Sequence, residues 1–340
     1  MAATTDKKPA LDRELESYRR ELTGYCYRML GSGFEAEDAV QETFVRAWRN
    51  FDSFEGRSSL RSWLYKIATN VCLDMLQGPQ RRARAMDMGP SSTAETLLGS
   101  PLNEGAWVMP IADSSALPEG GDPAELAAQR ETLRLAFVAA LQHLPPRQRA
   151  VLILREVLRW QASEAAELLG MTVASVNSAL QRARATIDQL ELDASGPADL
   201  DGDDQELLTK YVDNFERYDI DALVALIAED ADFSMPPYEL WLRGTPDIAK
   251  WYVGQGSGCE NSRMLATRAN GCPAFAQYKP AGDGVWEPWA FQVIEVSGGK
   301  IVGLHHWIPP FAPQLFEAFG MPERLEGDQP YSSERVSSSS

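Results

Sequence analysis

Between Glu35 and Phe51 apolar side chains return at steps of three and four. They are Val40, Phe44, Ala47, Trp48 and Phe51, with Asp38, Gln41, Glu42, Thr43 and Arg46 between them. That period predicts a helix over 35–51 with one buried stripe and a polar outer face. A helix is also predicted over 11–30, joined to it by the glycine-bearing turn LGSGFEAED. After a loop, SLRSWLYKIATNVCLDML predicts a third, with Leu60, Trp63, Leu64, Ile67, Val71 and Met75 inward. It ends near Gln77-Gly78-Pro79, where glycine and proline stop a helix. Residues 79–123 are rich in Gly, Pro, Ser and acids and carry little periodicity, which predicts a flexible acidic linker.

Asp122-Pro123 then opens a predicted long helix over 124–141, with Asp122 as N-cap and Pro123 in the first turn. Pro145-Pro146 starts another, carrying Val151, Leu152, Leu154 and Val157 inward. SEAAELLG is a short helix with Ser163 as its candidate cap. Gly170-Met171-Thr172 is a tight turn, and a helix from Val173 to Ile187 buries Val176, Leu180 and Ala183. Two helices around a short glycine turn predict a helix-turn-helix. The outer face of the second carries hydrogen-bonding side chains suited to bases and phosphates.

DASGPADLDGDD, 193–204, is a second breaker-rich linker. Beyond it the pattern changes to two amphipathic helices entering a strand, a short capped helix at LRGTPDIAKWYVG, and alternating strands in RMLATRANG, CPAFAQYKP and WAFQVIEVSGGKIVGLHHWIPP. Ser297–Lys300 is the hairpin turn within the last. Helices followed by an antiparallel sheet predict a small α+β domain over 205–325, with a disordered tail over 326–340.

Composition changes this picture in two respects. The net charge of −17 would exclude a nucleic-acid binder if it were spread evenly. It is not: residues 1–88 carry +1, 89–124 carry −5, 125–190 carry +2 and 191–340 carry −15. The four cysteines have no metal-ligand spacing and there are three histidines, so neither a metal nor a cofactor is expected. With no apolar run of the roughly 18–20 residues a membrane helix needs, a cytoplasmic chain is expected.

EAEDAVQETFVRAW followed by SLRSWLYKIATNVCLDML resembles region 2 of the extracytoplasmic-function (ECF) sigma factors of the sigma-70 family. LPPRQRAVLILREVLRWQASEAAELLGMTVASVNSALQRARATI resembles their region 4. The C-terminal part resembles the cone-shaped SnoaL-like α+β domain fused to some members, on DFSMPPYELWLRG and the helix–strand order. The resemblance implies two all-α sigma domains, 10–78 and 124–192, and a third α+β domain. It implies a non-enzymatic promoter-specificity subunit whose partners are core RNA polymerase, through its β′ clamp helices and β flap, and promoter DNA. Asp38, Gln41 and Glu42 stand at the family's D-x-x-Q-E positions and would meet the clamp helices. Arg61, Tyr65, Lys66, Thr69 and Asn70, expected opposite the apolar stripe of their helix, would hold the opened minus-10 strand. Trp63 is expected in the core. Thr172, Ser175, Asn177, Ser178, Gln181, Arg182 and Arg184 would read the minus-35 element. Asn177 stands where many members carry Lys or Arg, which leaves base preference open. Two readings stay open for Arg81, Arg82 and Arg84: a phosphate-binding cluster, or ordinary linker charge. WVMPIAD, with Trp107, Pro110 and Asp113, resembles a linker motif of some members.

SnoaL-like folds include enzymes that use an acid or a histidine in an apolar cavity. Asp232, Glu239, His305 and His306 are candidates here, with Trp241 among the possible lining residues. Because neighbours on a strand alternate, at most one of His305 and His306 looks inward. A regulatory role is the main expectation: the acidic domain would hold the sigma regions in an intramolecular contact, with Phe311, Leu315 and Phe319 as an apolar seam. A separate anti-sigma protein is not required. The alternative is an enzyme or small-ligand sensor carrying DNA-binding modules.

Overall fold

Helices come first along the chain, as the periodicity predicts, but their limits differ. The computed structural model describes residues 8–54, 56, 58–77, 81–190 and 202–327. The stretch expected as one helix over 11–30 is two, α1 Lys8–Ser17 and α2 Arg19–Leu30. α2 buries every residue from Leu22 to Leu30 and is the central element of its unit. α3 Gly33–Asn50 is capped by Ser32, whose hydroxyl accepts from the Glu35 amide, and α4 Leu60–Met75 is capped by Ser59. The stripe of α3 is shifted from the expected one. Ala36, Ala39, Val40, Thr43 and Ala47 are buried, whereas Trp48 is 45% exposed. Small residues let α3 lie close to α2, and the large ring is left at the rim.

The linker is not a flexible tether. Two compact units divide the chain, and they divide the linker as well: residues 1–82 and 108–192 form one, 83–107 and 193–340 the other. In the first unit, residues 108–117 lie across α2 and α3. The Met109 amide donates to the Gly31 carbonyl at 2.9 Å, and the Tyr27 hydroxyl to the Met109 carbonyl at 3.0 Å. Met109 and Ile111 are buried. Gly24 and Gly33 permit this approach, since a Cβ there would stand 2.8 Å from the Ala116 carbonyl oxygen and 2.6 Å from that of Pro110.

α5 Asp113–Ala116 follows, and then Asp122 caps α6 Pro123–Glu131 as expected, accepting from the Ala124 and Glu125 amides. The long helix expected over 124–141 is broken there. α7 Leu135–Leu141 starts anew after Thr132–Arg134. Buried Arg28 donates to the carbonyls of Gln129 and Thr132 and, at 2.7 Å, to the Thr132 hydroxyl. These contacts finish the helix end where four carbonyls lack intrahelical partners. α8 Pro146–Leu152 runs into a π-helical turn, Ile153–Val157, and a left-handed Arg159. α9 Ala162–Leu169 and α10 Val173–Asp188 complete the unit.

In the second unit, α11 Gly202–Arg217, α12 Ile220–Val224 and α13 Thr245–Val253 pack on one sheet. Its strands are β1 Ile227–Ser234, β2 Trp241–Arg243, β3 Arg263–Ala269, β4 Cys272–Gly282, β5 Val285–Ser297, β6 Lys300–Trp307 and β7 Leu325–Glu326. The strand order is β2-β1-β6-β5-β4-β3, with β7 on β5, and Ser297 faces Lys300 across the expected hairpin turn. This is the expected α+β domain of the SnoaL-like kind, but the sheet is not wholly antiparallel as expected: β1 runs parallel to β6. α14 Phe311–Ala318 buries Phe311 and Leu315 within it, and Phe319 packs on Phe291 at 4.2 Å. The expected seam is therefore spent on the domain's own sheet.

The other half of the linker belongs to this domain. Ser92 pairs with Leu242 on the edge strand β2, its amide donating to the Trp241 carbonyl at 2.7 Å. The Leu102 amide donates to the Pro237 carbonyl, and Gln255 reaches the carbonyls of Ala94 and Thr96, each at 3.0 Å. An edge strand left bare would expose unpaired amides, and this segment covers it. The breaker-rich stretch 193–201 and the tail from 328 lie outside the described residues; Glu326, the first residue of the expected tail, pairs in strand β7 with Leu325, the last of the expected domain.

Candidate nucleic-acid and polymerase interfaces

The clearest site is the helix-turn-helix. α9 begins in a capping box of Gln161 with Glu164 rather than at Ser163, and Gly170 closes it in the left-handed conformation at φ 62°. Thr172 then caps α10, accepting from the Ser175 amide at 3.1 Å. Val176, Ala179, Leu180 and Ala183 are buried, which turns the opposite face to solvent. Thr172, Ser175, Asn177, Ser178, Gln181, Arg182 and Arg184 are all exposed on it. Arg184 is engaged with Glu156 at 2.5 Å. The remaining donors and acceptors have the chemistry of base edges and phosphates.

On α3, Asp38 and Gln41 are exposed and Glu42 is half-buried, paired with Arg46 at 2.7 Å. Arg46 also reaches Asp74 of α4 at 3.2 Å, so this face is a charged network spanning two helices. Pairing with Glu42 raises the Arg46 guanidinium above its ordinary range.

α4 departs from expectation. Lys66 and Asn70 are exposed, but Tyr65 and Thr69 are buried. The helix buries two faces, because α9 and the end of α8 pack on the side expected to be free. The Tyr65 ring lies 5.1 Å from the Trp160 ring, and the Arg61 guanidinium stands over both at 5.2 and 5.4 Å. Arg61 is also paired with Glu21 at 3.0 Å. Thr69 shares a hydrogen bond with the Tyr25 hydroxyl at 2.7 Å. Trp63 is half-buried against Phe54, 4.9 Å between rings. Sequence reasoning missed Trp160. The run LREVLRW does hold a signal, an aromatic one position beyond the end of the helical period. Arg81, Arg82 and Arg84 are each engaged: Arg81 with His143, buried Arg82 with Glu35 at 2.5 Å, and Arg84 with Asp87 at 3.0 Å.

In the α+β domain the expected cavity residues separate. Ser234 faces His305 across β1 and β6, and their side chains meet at 2.9 Å. Glu295 lies 3.8 Å from the same imidazole. Asp232, two positions before Ser234, pairs with Arg243 at 2.8 Å, and the Trp241 indole donates to the Gly89 carbonyl. By strand alternation these residues share the face away from the main core. His306 takes the other face, 4.7 Å from Phe233 of the core. The two histidines take opposite faces, as alternation requires, but both are buried, so the expectation that at most one looks inward fails: His306 faces the main core and His305 the other, also covered, face. Glu239 is half-buried.

The Sigma-70 region 2 profile matches residues 15–82, and that of Sigma-70, region 4 matches residues 134–187. The ECF RNA polymerase sigma factor SigG of Mycobacterium tuberculosis is 40% identical over 335 residues, 96% of this chain and 89% of that protein. SigJ of the same organism, also an ECF RNA polymerase sigma factor, is 26% identical over 303 residues, 86% of this chain and 89% of that one. A crystal structure of SigJ shares the fold at a TM-score of 0.56 and 22% identity, covering 92% of this chain and 99% of that one. With both sigma-70 regions in order and a relative this similar along nearly its whole length, the chain belongs to the ECF RNA polymerase sigma factors.

Proposed function

We propose that this sigma factor docks on the β′ clamp helices of core polymerase through Asp38, Gln41 and Glu42, with region 4 on the β flap, and reads minus-35 DNA with α10. Arg61, Tyr65, Lys66, Thr69 and Asn70 hold the opened minus-10 strand once α4 is uncovered. The observation that carries this reading is α10: a helix capped at its N-terminus, buried on one side, with seven polar side chains on the other. The acidic α3 face suits a basic partner, and complementary charge acts on encounter and register more than on raw affinity. Residues 83–107 bind the α+β domain, so that domain governs how much of the linker is available to polymerase, and through it activity. The test is run-off transcription by core polymerase with the full chain. Reversing Asp38 and Glu42 together is expected to weaken core binding with the circular dichroism unchanged. Undiminished binding removes that face from the interface.

A further inference from the structure

Trp160 is presented to α4 by a strained stretch of chain. α8 gives way to the π-helical turn Ile153–Val157, and Arg159 follows in the left-handed region at φ 56°, which residues other than glycine rarely adopt. The Trp160 amide donates back to the Leu154 carbonyl at 2.9 Å, and Arg155 donates to the Trp160 carbonyl. The turn thus fixes the backbone that carries the indole. The ring is 6% exposed, yet among the described residues its Nε1 has no hydrogen-bond partner. A buried N–H left unmatched and a backbone held at positive φ both weaken the closed packing. What they are held for is one contact. The Trp160 ring lies 5.1 Å from that of Tyr65, with the Arg61 guanidinium over both.

The surface covered in this way is one line of α4. Arg61, Tyr65 and Thr69 follow at steps of four and share a stripe. Tyr65 and Thr69 are buried, whereas Lys66 and Asn70, which border the stripe, are exposed. Tyr25 packs edge-on against the Tyr65 ring at 5.1 Å from within region 2, and Trp160 covers that ring from region 4. A phenol ring beside a guanidinium has the chemistry that stacks an unstacked base. The indole is flat and bicyclic, like a purine, and carries an N–H on its edge. We propose that Trp160 is a stand-in for a base of the opened DNA strand, so that region 4 and single-stranded DNA compete for the Arg61–Tyr65 platform. This rests on the reading of α4 as the element that holds the minus-10 strand. Exposed Lys66 meets a phosphate while the unit is still closed. A base then displaces the indole, whose N–H regains a partner in water, and the strain at Arg159 is free to relax.

The test titrates the full-length protein, labelled with 5-fluorotryptophan, with a single-stranded dodecanucleotide of mixed sequence and with an abasic strand of the same length and charge. The Trp160 fluorine signal is the one that Trp160→Phe removes. It is expected to move at saturation with the base-bearing strand and to stay in place with the abasic one. Trp160→Ala is expected to bind the base-bearing strand about tenfold more tightly, the scale of one aromatic and cation contact no longer in competition, and the abasic strand as before. Lys66→Ala combined with Asn70→Ala should weaken both strands. A base-bearing strand that binds while the Trp160 signal stays put overturns the inference. So does an equal gain for the abasic strand in Trp160→Ala, which makes region 4 a screen against phosphate and not the stand-in for a base. Should Trp160→Ala fail to fold, the fluorine signal decides alone. Weaker binding in the Lys66 and Asn70 double variant, with a motionless Trp160 signal, leaves the reading of α4 standing and removes the stand-in. Unchanged binding in that double variant removes the reading of α4 and the inference with it.

Discussion

His306 and Trp160 each carry a consequence at the scale of one residue. In the folded chain the His306 pKa is lowered by burial, and by neighbouring His305, to about 3 from an ordinary 6.5. The unfolded chain therefore takes up a proton that the folded chain refuses once pH falls below 6.5. Stability is fully present above that value and falls away down to about pH 3. A drop of about 2 kcal/mol between pH 6.5 and 5 is expected in hydrogen exchange of the β5–β6 amides. His306→Gln should flatten that dependence. Trp160 covers Tyr65 and sits under Arg61. Trp160→Ala is expected to cost up to about 3–5 kcal/mol in unit 1 if the gap does not collapse. Faster amide exchange in α4 around Tyr65 and Thr69 would report it, and affinity for single-stranded minus-10 DNA should rise. An unchanged exchange rate would mean that the ring contact contributes nothing to holding α4 closed.

Among the elements, α10 separates base reading from helix stability. Asn177→Ala is expected to alter base preference at one position, costing about 1–3 kcal/mol if the amide makes a bidentate contact to adenine. Arg182→Ala should weaken binding about equally on every sequence and reduce the salt slope by about one if it meets phosphate. Thr172→Ala removes the cap that accepts from the Ser175 amide and should cost about 1 kcal/mol of helix stability, restored in Thr172→Ser. Selection of binding sites by the wild type and each variant distinguishes the three. The same consensus for Asn177→Ala would take Asn177 out of the reading set.

For the whole molecule the decisive segment is 83–107. Gln255 donates to two of its carbonyls from an exposed side chain, so Gln255→Ala should free it by roughly 1 kcal/mol, the net worth of solvent-accessible hydrogen bonds. Hydrogen exchange at Ser92, whose amide donates to the Trp241 carbonyl, should quicken while the β4–β5 amides stay protected. If the α+β domain governs activity through this segment, run-off transcription changes in the same variant, at every salt concentration. Exposed charge alone would lose its effect over a Debye length of about 8 Å in physiological salt. A transcription rate that ignores Gln255→Ala while exchange at Ser92 rises separates the linker contact from regulation.

The sequence by itself determined much of the local structure: the cap at Asp122, the turn at Gly170, the buried side of α10, the hairpin at Ser297–Lys300 and the order of the helical and α+β domains. Caps, turns and periodic stripes depend on residues a few positions apart, so a single chain displays them. It determined the family as well, because two motifs stand in order at the right separation. Tertiary structure alone decided what lies where a segment's partners are remote. The π turn that places Trp160, the burial of Tyr65 and Thr69, and the break at Thr132 follow from α4 and Arg28, which no local pattern names. The linker looks unstructured in sequence because its own residues supply few partners. Its hydrogen bonds go to Tyr27 and Gly31 in one unit and to β2, Pro237 and Gln255 in the other. Alternation could say that two adjacent histidines take opposite faces, and which takes the face of the main core it could not say. That was fixed by the register of β6 against β1 and β5, and a shift of one residue would have exchanged them.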